Sequence, residues 1–319
     1  MVGKKIIPLL SGFLLFFCFP LSLQADPEIS SGRELTLTLS TMPELKLGFN
    51  QYFIFPFLRG DNFLTADNNI RLNFIAEFSP ISLNGAAELV WTPAAFLQLT
   101  GGTKLGSGWN IKLFGSPVYG IGINRPEADT GAIRTSKIEG SFFDGLLWRI
   151  YGGGALQFDF AALFPGDWHH LVFRSYHEGS YRAYSRASSK DSWVFENDRG
   201  ENRNGLIYYG NLLLAYQMPI FLNTLGILTE AEKYLYNTPN RTDWGDELIR
   251  WTFSGLLNFT LTKQLDAALI VQCRTGRNYQ DGDQKNKKTF FYQDRSLDRD
   301  RPLFLEFYRV AAILTLKLP

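Results

Sequence analysis

Cysteine is almost missing from this chain. Of the two in 319 residues, Cys18 falls in an apolar leader, which leaves Cys273 alone and excludes an intramolecular disulfide in the mature protein. A surplus of charge is missing too. The formal net charge is +1, and −1 once Lys4 and Lys5 leave with the leader, so the chain lacks the basic footprint of a nucleic-acid binder. Beyond the leader no apolar run approaches the roughly 18 residues of a transmembrane helix. There is no phosphate loop, dinucleotide fingerprint, zinc ligand quartet or nucleophile elbow, and no internal repeat. No cofactor or metal is expected, and the chain is not read as an enzyme.

What is there begins with the N-terminus. "MVGKKIIPLLSGFLLFFCFPLSLQA" has a basic start, an apolar stretch from Ile6 to Phe19 and a small residue at Ala25. That layout predicts an exported protein whose signal peptide, residues 1–25, is cleaved near Ala25. The residues before Cys18, "LFF", are too large for a lipidation site, and an uncleaved anchor is the alternative.

Aromatic residues make up 15% of the chain and glycines number 29, a mixture that suits strands, turns and interfacial belts. In "LIRWTFSGLLNFTLT" (248–262) every second residue avoids water: Ile249, Trp251, Phe253, Leu257, Phe259 and Leu261 alternate with Arg250, Thr252, Ser254, Asn258 and Thr260. Period two is strand geometry, because successive side chains leave opposite faces. The pattern returns in "NIRLNFIAEF", "ALQFDFA", "GLIYYGNLLLAYQ", "LDAALIVQCRTGRNY" and "FYRVAAILTLKLP". Twelve strands are predicted, at 46–58, 69–79, 81–91, 96–105, 142–151, 155–163, 169–184, 205–217, 224–236, 248–262, 265–279 and 303–318. "ELTLTLS" (34–40) is a thirteenth candidate, "NIKLFG" with "PVYGIGI" a hairpin inside 106–141, and 224–236 also reads as a helix.

Short connections at 164–168, 218–223 and 262–264 alternate with long polar ones at 185–204, 237–247 and 280–302, as in barrels of outer membranes. The front half breaks the rule, since it places 106–141 at the end that should carry short turns. A soluble barrel of twelve strands with an apolar interior would be too wide to fill. Turned inside out, the same pattern suits lipid, because closure satisfies every backbone group. The expected fold is therefore all-β: an antiparallel transmembrane β-barrel of about 12 strands over 45–319, after a short periplasmic segment at 26–44. Trp91, Trp148, Trp168, Trp193, Trp244, Tyr208, Tyr216, Tyr279 and Tyr308 fall near strand ends, where a membrane interface favours them.

The leader, the strand run and the amphipathic last strand resemble bacterial outer-membrane β-barrel proteins. "SPISLNGAAELVWTPAAFLQLTGGTKLGSGWN" (79–110) resembles segments of uncharacterised spirochaetal members. The resemblance implies the cell outer membrane as location, with its lipids and its insertion machinery as partners. The chain departs from the pattern at its end, where Leu318-Pro319 stands instead of a terminal aromatic residue.

Parity names the charges facing the lumen: Arg71, Glu77, Glu88, Lys104, Arg149, Asp159, Arg174, Glu178, Arg182, Arg250, Asp266, Arg274, Arg309 and Lys317. Arginine outnumbers acid among them, so an open pore would favour anions. Such a wall fits a porin-like passive channel for small polar solutes. It also fits a filled barrel whose charges pair with one another and whose loops carry a structural or surface role. Ser175 and His177, two apart on one strand face, resemble the pair of the outer-membrane phospholipase, although its His-x-Ser-Asn order is absent; the plainer reading is a histidine near the outer rim. His169 and His170 beside Asp167 form a weak metal candidate, since adjacent strand residues point apart. The loop pieces 196–202, 281–284 and 294–301 lack the spacing of a calcium loop.

Overall fold

The structure, a computed structural model, describes residues 29–42, 44–126, 136–189, 191–235, 244–279 and 296–319. The leader and its cleavage site lie outside the described residues. In chain order the strands are β1 (Ser30–Ser40), β2 (Glu44–Pro56), β3 (Asn69–Ser79), β4 (Ser82–Ala94), β5 (Leu97–Gly108), β6 (Ile111–Leu113), β7 (Ser116–Val118), β8 (Ile121–Pro126) and β9 (Ser136–Glu139). Then come β10 (Leu147–Asp159), β11 (Leu171–Tyr184), β12 (Trp193–Phe195), β13 (Gly205–Gln217), β14 (Leu222–Tyr234), β15 (Arg250–Thr260), β16 (Leu265–Arg277) and β17 (Leu303–Leu318).

Twelve of these close into one barrel, in the order β1, β2, β3, β4, β5, β10, β11, β13, β14, β15, β16, β17 and back to β1. Each neighbouring pair is antiparallel, and the closing pair runs from Arg33 opposite Leu318 to Ser40 opposite Ala311. The hydrophobic series of each strand points outward. Leu225, Ile227, Phe253, Val271, Phe307 and Leu314 are large apolar side chains left exposed on the outer surface. Such a wall is stable only against hydrocarbon, and closure leaves no strand edge unpaired in it. The fold is a transmembrane β-barrel.

The count of twelve agrees with the expectation, but its parts differ. The segment 26–44, expected in the periplasm, supplies the wall strand β1, paired on both sides. Residues 142–163, expected as two strands, contain only β10, which runs unbroken through Gly152, Gly153 and Gly154. Glycine at 153 is needed inside the sheet: a Cβ there would lie 2.5 Å from the His177 carbonyl and 2.9 Å from the Tyr176 hydroxyl. Residues 222–234 form a strand, not a helix.

These corrections restore the alternation of loops. Both ends of the wall, Ser30 and Leu318, lie at one rim, the terminal rim, whose connections are 57–68, 95–96, 160–170, 218–221 and 261–264. The opposite loop rim carries two short turns, 41–43 and 80–81, and 109–146, 185–204, 235–249 and 278–302, so the long front segment falls with the other long loops. Two of them fold together: β8 pairs with β9 and, across the chain, with β12. Ile121, Ile123, Leu147, Tyr184 and Trp193 pack into a small core there.

Several aromatic residues leave the expected belt, Trp193 because it belongs to that core. Trp193 and Trp244 are buried in the loop assembly, with Tyr279 close behind. Tyr308 lies under the Arg274 guanidinium, 3.8 Å from the ring centre. Tyr208 is mid-wall. Trp148, stacked on Tyr181, marks the belt at the loop rim, and Trp168 with Tyr216 marks it at the terminal rim.

Candidate functional site

With the greasy face outward, the alternate residues of every wall strand point into the barrel. All fourteen charged residues named above from parity lie on this inward series. Most are tied to carboxylates there. Lys104 meets Glu77 across the intervening strand, Arg149 meets Glu178, Arg250 meets Glu232, Arg274 meets Glu306, Arg309 meets Glu44 and Lys317 meets Asp266 at 2.9 Å. Arg182 is 3.9 Å from Glu232. Glu88 accepts hydrogen bonds from Asn73 and Tyr151. Asp159, at the terminal rim, is bound to His170 at 2.7 Å.

Sequence reasoning missed Glu34, Glu44, Lys46, Glu230, Glu232 and Glu306, which share the inward face. The first three fell in or beside the supposed periplasmic segment, and the next two in the stretch that also read as a helix. With these carboxylates added, the arginine excess disappears, so overall charge no longer argues for anions.

What remains uneven is the pairing. Among the described inward basic groups, Arg71 and Arg174 alone have no carboxylate within ion-pair distance. Arg71 donates to Asn73 at 2.8 Å and lies 4.1 Å over the Tyr52 ring; Arg174 lies 5.2 Å from the centre of Tyr176. Both are near the terminal rim, the third and fourth residues of β3 and β11 counted from it.

Toward the loop rim the lumen is crossed by chain. Glu196, just past β12, accepts from Lys46 at 2.8 Å, Ser82 at 2.7 Å and Asn84 at 2.9 Å, three inward groups of β2 and β4. Three residues on, Arg199 reaches Glu306 on β17. One short stretch from the loop after β11 thus reaches the wall on either side of β1, at β2 and β4 and at β17. Burial alone would push the Glu196 carboxyl up, but Lys46 and the hydrogen bonds from Ser82 and Asn84 outweigh it and hold the carboxyl below its ordinary value. Glu196 with Lys46, Ser82 and Asn84 thus forms a latch, and beside it lies a cavity of about 130 Å³, lined by Ile75, Glu77, Asn84, Lys104, Arg149 and Tyr151 among others.

Charged side chains inside and apolar ones outside give the barrel the build of a pore wall. No protein-family model and no curated protein matches the chain. Solved structures similar to it include a porin described as KdgM, 10% identical over 91% of this chain and all of that one, with a TM-score of 0.37. The NanC porin is 7% identical over 90% of this chain and all of that one, at 0.41. An anion-selective porin from Comamonas acidovorans is 5% identical over 91% of this chain and 99% of that one, at 0.29. Likeness of this degree says nothing about a solute.

The outer wall carries its own polar cluster. Ser175 Oγ lies 3.0 Å from His177 Nε2, and His177 Nδ1 lies 2.8 Å from the Tyr208 hydroxyl. Nucleophile, base and orienting group are therefore in contact. Yet His177 is midway along β11, between the belts at Tyr216 and Tyr181, and not near a rim. Phospholipid esters lie at the level of those belts, away from the hydroxyl. Fatty-acid release from phospholipid vesicles should accordingly be the same for the protein and for Ser175→Ala; release that depends on Ser175 would make this a hydrolase. The two histidines before β11 separate, His169 toward the Phe164 carbonyl and His170 toward Asp159. Among the described residues no group of three metal-ligating side chains forms.

Proposed function

We propose that the protein is a passive channel of the outer membrane for small polar solutes, with a preference for anions. Its leader directs export, the insertion machinery of that membrane assembles it, and the terminal rim faces the periplasm. The likeness of 79–110 to spirochaetal outer-membrane proteins belongs to the same proposal. The observation that carries the channel reading is the inward wall, which carries charged side chains from the terminal rim to the loop rim inside a closed apolar cylinder. The anion preference rests on Arg71 and Arg174. A guanidinium stacked on tyrosine and free of carboxylate presents uncompensated charge to whatever passes.

Refolded protein in planar bilayers should give step currents, and under a salt gradient the reversal potential should have the sign of anion selectivity. Arg71→Gln with Arg174→Gln should move that potential toward zero. An absence of steps would defeat the channel. A second reading, a structural or surface role carried by the loops, is favoured by the ordered sheet of β8, β9 and β12 over the mouth, and it requires that absence.

A further inference from the structure

The inward face is not polar all round. On five successive strands it carries Leu213, Leu228, Leu256, Ile270 and Ile313. Leu213 is directly opposite Leu228, and Leu256 directly opposite Ile270. Leu256 is one inward position from the residue facing Leu228, and Ile313 one inward position from the residue facing Ile270, so the five form a continuous strip around part of the wall. None is fully buried. They take no part in the loop core, which is built from other residues. Beyond the strip, Thr38 of β1 lies directly opposite Ile313, and the strands further round present Asn50, Asn73 and Thr100 together with single apolar side chains such as Ile75.

The strip begins beside a free cation. Arg174 is the register partner of Leu213, so an unpaired guanidinium adjoins one end of an apolar surface that faces the lumen. Partly exposed leucine and isoleucine in the lumen gain free energy when an apolar body covers them. A bare ion or a sugar offers no such body. Charge at one end and hydrocarbon along the strip are complementary to one class of solute.

We propose that the lumen selects organic anions with an apolar body, aliphatic or aromatic monocarboxylates, the carboxylate held by Arg174 and the hydrocarbon laid along Leu213, Leu228 and Leu256. Arg71, on the other side of the terminal half, is a second cation on the same route. This inference rests on the channel reading and names its substrate class.

The test is a homologous series in planar bilayers, acetate, butanoate and hexanoate added to a chloride current. Block should tighten by about two- to fourfold per methylene, as expected for partial to full burial of each group. Leu228→Asn should flatten that slope and leave acetate unchanged, since a polar residue on the inward face does not disturb the wall. Arg174→Gln should weaken every member by a similar factor and keep the slope. Step currents with equal block by acetate and hexanoate would overturn this inference and leave the channel standing. Without step currents the channel fails. The inference is then decided by titrating hexanoate and acetate into the detergent-solubilised barrel, where equal affinity overturns it and a hexanoate preference lost in Leu228→Asn sustains the site.

Discussion

Ile227→Arg should keep most of the protein out of the bilayer. Ile227 points outward from the middle of β14, is 61% exposed and is flanked by Leu214 and Gly255 on the adjoining strands. An arginine on a lipid-facing strand at the midplane costs roughly 2–4 kcal/mol. A tenfold change in an equilibrium corresponds to about 1.4 kcal/mol, so the folded, inserted fraction in a urea titration with liposomes should fall by more than tenfold. Asn211→Arg is the control. That residue points inward and is the register partner of Glu230, which would receive the new charge. Similar midpoints for both variants would mean that Ile227 does not face hydrocarbon, and the assignment of the outer face would fail.

Glu196→Gln should raise the conductance severalfold at neutral pH. The carboxylate ties the loop after β12 to Lys46, Ser82 and Asn84, and hydrogen bonds to a charged group contribute about 1.5–3 kcal/mol each. Glutamine keeps the shape and loses the charge. The pH dependence has a definite sign. Burial raises the carboxyl, but Lys46 and the hydrogen bonds lower it further, so its folded value is below the unfolded value of about 4.3. A group lowered on folding stabilises the docked loop above its unfolded value, and that contribution is lost as pH falls through the folded one. The latch is therefore closed at neutral pH and loosens only in acid. In Glu196→Gln the acid-dependent rise should disappear. A conductance that is unchanged at neutral pH in the variant would mean that the loop does not obstruct the path.

Period two made the walls legible. It placed Arg71 through Lys317 on one face without knowledge of any contact, because parity survives an error of several residues in a strand boundary. The strand count was right for reasons that cancel. "ELTLTLS" was set aside as a spare, and "GGG" was taken for a turn because three glycines in a row are the usual mark of one. Inside β10 the middle glycine instead clears space for Tyr176, a cross-strand demand that no local pattern announces. The latch was beyond reach for the same reason. Glu196 is 150 residues from Lys46 and 114 from Ser82, and "ENDRGEN" looks like any solvated loop until the walls around it are closed. The unpaired state of Arg71 and Arg174 was hidden too, since it depends on which carboxylates come within reach of the other cations.

The seam of the barrel joins β1 to β17, with Thr36 against Thr315. The pairs β16·β17 and β17·β1 both wait for the last strand, while every other neighbouring pair can form without it. A polypeptide cut short before Leu303 would have to carry two raw edges into hydrocarbon, so the cylinder must be zipped last, by the final sixteen-residue ribbon, and only whole molecules can leave the assembly step as pores.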